Sequence, residues 1–595
     1  MIDDSLLITL MVIVPFAWVG LIPLLKNLSP KMLAWVAVAL AAVVAVPVFL
    51  LVPDIYTSGA TPITASYDWI PSAGLVFSVL IDPLAIFIAA IAAGIGFLVV
   101  LYSVKYMEGE KGLPRYYALI MLFIGAMICL VITDNLLVVY FFWEIVGLCS
   151  YALIAFNVED PKAAKAGIKA FVTTRVGDMG LIIGIFVLYL TAGTFSIQDI
   201  ITMAQAGQLE VSHVSFAGFM FILGAMGKSA QLPLHAWLPD AMEAPTTVSA
   251  LIHAATMVNA GIYILARMAP VFVSVDGWTT ALLYLGGITA LVSAIMAVVE
   301  PDLKRLLAYS TISQLGYMVF ALGLGLAGVF ASQFHLLNHS IFKALLFLCA
   351  GAIIHSVGTR NMYEMRGLKK EMPKTRWFML FGALALAGIP IFSGFWSKDL
   401  IFAGAYEQEL WIPLILVVVT AMLTFAYSLR MYFLVFEGEP KKERHAHETP
   451  GIMLLVLGIL AVGAIASWAL VEIFSDGFSQ FQLAGADFTT HYLGDFVNHT
   501  FTSTAFILSL VGLGIGYVLY HFRNSLKRNR VSQWIIKYGR KGFGFDRLYD
   551  DTVLGVKKLS VRLRRFQTGD ANMNFVGVIL MVLVLFVMLF MQGVF

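Results

Sequence analysis

Apolar runs of 18 or more residues recur from one end of this chain to the other. Runs of that length cross a hydrocarbon layer about 30 Å thick as helices. The 595 residues would otherwise suggest about four soluble domains. With 60% hydrophobic and only 12% charged residues, the chain has about half the charge of a soluble domain. A membrane barrel is excluded, because its strands alternate apolar and polar residues and give no long apolar run. The expected fold is therefore an all-α polytopic membrane protein. About sixteen spans are legible, near 5–25, 31–52, 82–106, 115–132, 135–156, 166–192, 214–238, 246–268, 277–299, 305–325, 328–356, 376–404, 411–436, 451–474, 502–522 and 573–593.

The net charge is +2, so nothing global points to nucleic acid. Cys129, Cys149 and Cys349 each lie in an apolar run and form no C-x-x-C pair, which argues against disulfides, iron–sulfur clusters and structural zinc. There is no Walker loop and no dinucleotide fingerprint. The chain is expected to hold no cofactor or metal of its own. It opens Met-Ile-Asp-Asp, acidic where a leader needs basic residues, so the first span is expected to be retained.

Lys and Arg set the orientation. They gather around Lys26 and Lys31, Lys105 to Arg115, Lys162 and Lys165, Lys304 and Arg305, Arg360 to Arg376, Lys441 to Arg444, and from Arg523 onward. The alternate connections, 53–81, 193–213, 269–276, 405–410 and 475–501, hold neither residue. Both termini then face outward, in the plasma membrane of a prokaryote. One connection breaks the pattern: 239–245 is acidic on the basic, inner side.

Between the last two spans, Leu548, Val553, Val556, Leu559, Leu563 and Phe566 recur at helical spacing among Lys557, Lys558, Arg562, Arg564 and Arg565. This pattern predicts an amphipathic helix lying along the inner, cytoplasmic membrane face, or else a solvated connector. The expected organisation is N-terminal helices over 1–112, two repeats over 113–270 and 271–437, C-terminal helices over 438–522, a lateral amphipathic segment over 523–571 and a last span over 572–595.

A charge at the bilayer centre costs about 2.5–3.5 kcal/mol on insertion scales, so those inside spans need a partner or a use. Glu144 lies in the fifth span; Arg175 and Asp178, three apart, can pair in the sixth; Lys228 ends the seventh; His253 is in the eighth. His335, His339 and Lys343 recur every four residues in the eleventh, a row of titratable groups. Lys398 and Asp399 are in the twelfth. Arg175–Asp178 serves equally well to tie helices together and His253 as a core histidine; a snorkelling lysine near a helix end is the lesser alternative for Lys398. Two proline breaks, Leu232-Pro233-Leu234 and Gly388-Ile-Pro390-Ile-Phe-Ser-Gly394, adjoin Lys228 and Lys398. Broken backbone survives at membrane depth only where protein or water covers it. The breaks lie five spans apart, and an odd offset reverses direction, which suggests two inverted repeats around an ion path.

At these residues the chain resembles the antiporter-like proton-translocating subunits of respiratory complex I and Mrp antiporters. The resemblance is carried by Gly227 to Val258 (Gly-Lys-Ser-Ala-Gln-Leu-Pro through His253-Ala-Ala-Thr-Met-Val), Asp302 to Gly316, His335 to Phe347 and Ser393 to Asp399, over about 130–400. Phe545-Asp-Arg-Leu-Tyr-Asp550, the basic stretch and a last span resemble the distal, chain 5 type. Only about 22 residues follow that motif before the last span, a departure that implies a lateral helix of about 33 Å. The resemblance implies that Glu144 and Lys228 form the essential pair and that His253 and Asp178 tune it. It implies that Lys343 with His335 and His339 forms the central relay, that Lys398 stands at the outward exit, and that Lys304 lines the inner input. It further implies a non-redox subunit of a redox-driven proton pump. Its partners would be other antiporter-like and small membrane subunits, with peripheral redox subunits reached indirectly. The rival expectations are a sodium/proton antiporter subunit, a membrane acyltransferase using an intramembrane histidine such as His339, and a structural subunit.

Overall fold

The computed structural model of the chain describes residues 3–25, 28–57, 61–70, 75–439, 446–480, 493–526 and 528–564. The expected span at 573–593 and Phe566 lie outside these residues. The elements in order are α1 (Asp4–Leu21), α2 (Pro30–Tyr56), β1 (Ile63–Ile70), β2 (Leu75–Ile81), α3 (Pro83–Tyr106), α4 (Leu113–Ile132), α5 (Leu136–Ile154), α6 (Pro161–Ala192), α7 (Ile197–Gln205) and α8 (Val211–Lys228). There follow α9 (Trp237–Asp240), α10 (Thr246–Ala254), α11 (Met257–Phe272), α12 (Trp278–Val299), α13 (Leu303–Leu322), α14 (Leu326–Val357), α15 (Met362–Met365), α16 (Pro373–Ala387) and α17 (Ser393–Glu407). The last are α18 (Trp411–Phe436), α19 (Gly451–Ala466), α20 (Val471–Gln480), α21 (Leu493–Thr502), α22 (Thr504–His521), α23 (Arg523–Leu526), α24 (Arg530–Gly539) and α25 (Phe545–Arg564).

Local sequence explains the helix starts. Ser29, Asp82 and Asp160 each cap a helix whose next residue is proline, and their side chains accept from Met32, Ala85 and Lys162 N–H. Proline lacks the N–H that the first turn leaves orphaned, so it fits there. Thirteen helices or helix pairs among the described residues are long and apolar enough to cross a membrane. Two further expected spans fall short of that measure for physical reasons. The helix α13 carries Lys304, Arg305, Ser310, Thr311, Ser313 and Gln314, and the 376–404 span is cut into α16 and α17 of 15 residues each.

The structure adds one feature and corrects three expectations. The 53–81 connection holds an antiparallel hairpin, with Ile63 opposite Ile81, a small strand pair within the helical membrane fold. Its second strand, Leu-Val-Phe-Ser-Val-Leu-Ile, is rich in strand-forming residues that merge in sequence with the apolar run of α3. The seventh span ends as a helix at Lys228 and does not continue to 238. The eighth is interrupted at Ala255 and Thr256, where Thr256 has φ −129° and ψ −108°. The lateral segment is not one helix. Gly542, Phe543 and Gly544 all take positive φ between α24 and α25.

The chain divides into two compact units, Met1–Ile536 and Lys537–Phe595. In the first, the interior is lined by α3, α4, α10, α11, α13 and α14, most of whose side chains are buried. In the second, α25 exposes Leu548, Val556, Leu559 and Leu563.

Candidate functional site

Small residues decide where the first charged cluster forms. A Cβ on Gly177 of α6 would sit 2.9 Å from Gly227 Cα of α8, so these helices meet backbone to backbone. That approach sets Asp178 beside Lys228, with Oδ1 to Nζ 3.5 Å and both side chains at 0% exposure. Trp143 Nε1 donates to the same Asp178 oxygen at 2.6 Å, and its ring centroid lies 5.5 Å from the ammonium. On α5, a Cβ at Gly147 would lie 2.5 Å from Lys228 Nζ, so the missing side chain is the room the lysine occupies.

The expected Glu144–Lys228 contact is not the one observed. Glu144 pairs with Arg175, and Arg175 Nη1 also stands 3.8 Å from Asp178 Oδ2. The helix α6 presents Asp178 to the ammonium and, one turn earlier, Arg175 to Glu144, so each is ion-paired to α6 rather than to the other. Glu144 and Arg175 are 23% and 35% exposed, on the rim of the helix group.

The two proline breaks are chemically parallel. In a continuous helix the N–H of residue 233 would bond Ser229 O, but Pro233 has none. Gln231 Nε2 takes that carbonyl at 2.7 Å, and Trp237 Nε1 takes Gly227 O at 3.0 Å. Four residues after Leu386 stands Pro390, and Lys398 Nζ donates to the freed Leu386 O at 2.6 Å. Lys398 is 3% exposed and so does not snorkel. At the third break, Asn259 Nδ2 bonds Ala254 O at 2.8 Å and reaches Ser340 Oγ of α14 at 3.4 Å.

The histidine–lysine row lies wholly inside. His335, His339 and Lys343 all have 0% exposure. Lys343 Nζ donates to Leu307 O at 3.3 Å and to Ser310 Oγ, both on α13, and meets no carboxylate among the described residues. His335 Nδ1 lies 2.9 Å from Ser397 Oγ and Nε2 lies 3.2 Å from Gln314 Oε1. His339 is within electrostatic reach of Lys343, His335, His253 and Lys398, yet neither of its nitrogens meets a described protein partner. The same holds for both nitrogens of His253, whose ring packs 4.6 Å from that of Phe347. Asp399 is buried next to Lys398, with Oδ1 unpartnered by any described group. Lys304 Nζ donates to Ala244 O at 2.6 Å. Ten of the eleven expected residues thus fall into two clusters, Glu144, Arg175, Asp178 and Lys228, then Lys304, His253, Lys343, His339, His335 and Lys398, while Asp399 follows Lys398 in sequence and contacts none of them among the described residues.

The model described as "NADH:quinone oxidoreductase/Mrp antiporter, TM" matches residues 133–424, which contain both clusters. That described as "NADH-Ubiquinone oxidoreductase (complex I), chain 5 N-terminus" matches 69–117. The F(420)H(2) dehydrogenase subunit L of Methanosarcina mazei is 42% identical over 78% of this chain and 75% of its own length. The chain belongs to the NADH:quinone oxidoreductase/Mrp antiporter family. Within it, chain 5 of the NAD(P)H-quinone oxidoreductase of Picosynechococcus is 36% identical over 84% of this chain and 81% of its own. Among solved structures, a chain of the Mrp complex of a Dietzia species aligns with a TM-score of 0.82 at 28% identity, over 98% of this chain and 63% of that one. A chain of the archaeal membrane-bound sulfane sulfur reductase aligns at 0.72 and 25% identity, over 83% of this chain and 99% of that one.

Family membership does not make every polar contact legible. Sequence reading missed Ser310, Gln314 and Ser397, uncharged residues that hold the charged row, although all three lie inside quoted motifs. It also missed the buried pair of Arg267 with Asp82, whose second bond, Nη2 to Oδ1, is 2.8 Å. Asp82 sits at an apparent span edge, and only the fold brings α11 to it. The acidic 239–245 exception is explained by its neighbours. Asp240 pairs with Lys169 and Arg305, and Glu243 with Arg360, so the acidic residues of the connection are matched by neighbouring cations.

Proposed function

We propose that this chain is the complex I chain 5-like, antiporter-type subunit of a redox-driven proton pump, and that protons cross it through the two clusters. The observation that carries the reading is the wholly buried Lys228 beside Asp178, with Glu144 held a short step away by Arg175. A carboxylate beside a lysine raises its proton affinity, and removing the carboxylate lowers it. Moving one charge through 100 mV costs about 2.3 kcal/mol. Exchange of partners among Asp178, Glu144 and Arg175 would bring a carboxylate to Lys228 or take it away, the two states between which a proton is moved.

From Lys228 the polar route runs past Ser229 and Gln231 to Asn259 and Ser340, then to Lys343, His339, His335, Ser397 and Lys398. Buried imidazole nitrogens need hydrogen-bond partners, and water bridging His339 and His253 supplies them. Lys304 serves the inner input, and Lys398 with Asp399 the outward exit. The halves 113–270 and 271–437 act as inverted repeats, a reading supported by the matched proline-freed carbonyls beside Lys228 and Lys398. The chain carries no redox step. The partners are other antiporter-like and small membrane subunits, with peripheral redox subunits driving the change from a distance, in a prokaryotic plasma membrane. Both termini face outward and the 523–571 segment lies on the inner face.

A second reading, a sodium/proton antiporter subunit, is favoured by the Dietzia alignment over 98% of the chain. Lysines and histidines suit protons better than sodium, which prefers carboxylates. In vesicles holding the complex isolated through this chain, Lys228→Ala should abolish proton uptake while assembly persists. Lys228→Arg should not rescue it, because arginine stays protonated. Full pumping by either variant contradicts the reading, and uptake that requires sodium selects the antiporter.

A further inference from the structure

The inner-side acidic connection lies outside both clusters, yet it touches an element of each. Asp240, at the end of α9, holds Lys169 Nζ at 2.6 Å with Oδ2 and Arg305 Nη1 at 3.1 Å with Oδ1. Lys169 belongs to α6, nine residues before Asp178, or about 14 Å along the helix. That helix carries Arg175 and Asp178, which set the partners of Glu144 and Lys228. Arg305 belongs to α13, which carries Lys304, Ser310 and Gln314, the contacts of Ala244 O, Lys343 and His335. One carboxylate, 30% exposed, therefore bridges the helix that governs the first cluster and the helix that governs the second. Asp240 also sits on the segment that leaves Lys228 through the Pro233 break. The rest of the lattice steadies the same connection: Arg305 Nε lies 3.5 Å from Glu300, and Arg360 joins Glu243 at 3.1 Å to Asp302 at 2.7 Å.

We propose that Asp240 is a positioning residue that couples the two clusters, so that a partner exchange at Lys228 is transmitted through α6 and α13 to Lys343. Its carboxylate touches no group of the proton route; it acts through Lys169 and Arg305. A network with a shared member has a signature. Removing the shared carboxylate disables both arms at once, and removing one cation afterwards adds little.

This inference rests on the proposed function, and the test separates the two. The complex is isolated through a tag on this chain, reconstituted in vesicles and driven by whichever of NADH, NADPH or F420H2 it oxidises, and protons moved per donor oxidised are counted. Asp240→Asn, Lys169→Met and Arg305→Met should each lower that ratio by roughly twofold or more. Asp240→Glu should restore most of it, and Asp240→Asn with Lys169→Met should be no worse than Asp240→Asn alone. Wild-type ratios in the single variants, or effects that multiply in the double variant, overturn the proposal. If Asp240→Asn does not assemble, Lys169→Met and Arg305→Met decide, and normal coupling in both overturns it. A Lys228→Ala complex that pumps normally would sink the proposed function whatever the Asp240 series shows.

Discussion

Lys343 has no carboxylate partner among the described residues, and its ammonium rests on a backbone carbonyl and the Ser310 hydroxyl of α13. A buried cation held only by neutral dipoles is costly to keep charged. In the proposed route its proton would pass to His339, four residues earlier, since an imidazole passes protons in either direction. His339→Leu should slow proton movement, measured as the initial rate of acidification in driven vesicles. His339→Gln, which keeps a donor and an acceptor, should slow it less. Equal rates in the two variants would place the imidazole outside the route. At this scale the sequence was informative about charge and uninformative about its partners. Lys228, Lys343 and Lys398 stand out in apolar runs on cost alone. That Lys228 faces Asp178, while Glu144 faces Arg175, depends on the glycine contact between α6 and α8, which no local pattern reveals.

At the scale of elements, the breaks matter more than the spans. Each proline frees a carbonyl four residues earlier, and a polar side chain takes it: Gln231 at Ser229 O, Lys398 at Leu386 O. Pro390→Ala returns an N–H that competes for Leu386 O and lets α16 run on. Lys398 then loses its acceptor, so pumping should fall although no charged group is removed. The check is the ratio of protons moved to donor oxidised, and an unchanged ratio would separate the break from the work of Lys398. Both proline breaks were legible because proline announces itself. The interruption at Ala255 and Thr256 was not, because no helix-breaking residue marks it; local side chains take the freed carbonyls, Thr256 Oγ1 at Leu251 O and Asn259 Nδ2 at Ala254 O. The hairpin of β1 and β2 was hidden for a related reason, its second strand running into the apolar start of α3.

For the whole molecule, the even distribution of apolar runs made the polytopic fold legible, and the Lys and Arg bias carries the proposed orientation. The acidic 239–245 connection looked like an error in that bias. In the fold it is an ion-paired lattice with Lys169, Arg305 and Arg360, which sequence separation concealed. The tail forms a compact unit of its own from Lys537, and α25 exposes a row of apolar side chains that require a surface. Deleting 528–595 should weaken retention of neighbouring membrane subunits during purification more than it lowers the thermal stability of the remaining chain. Undiminished co-purification would refute a tethering role. The central claim, that one proton route joins the two clusters, is tested most directly by a density map of the assembled complex sharp enough to show ordered water. The account predicts waters within hydrogen-bonding distance of both His339 nitrogens and of Lys343 Nζ, continuing past Asn259 and Ser340 to Lys228 and past His335 to Lys398. A dry, apolar gap between Lys228 and Lys343, or a carboxylate fixed on Lys343, would contradict it.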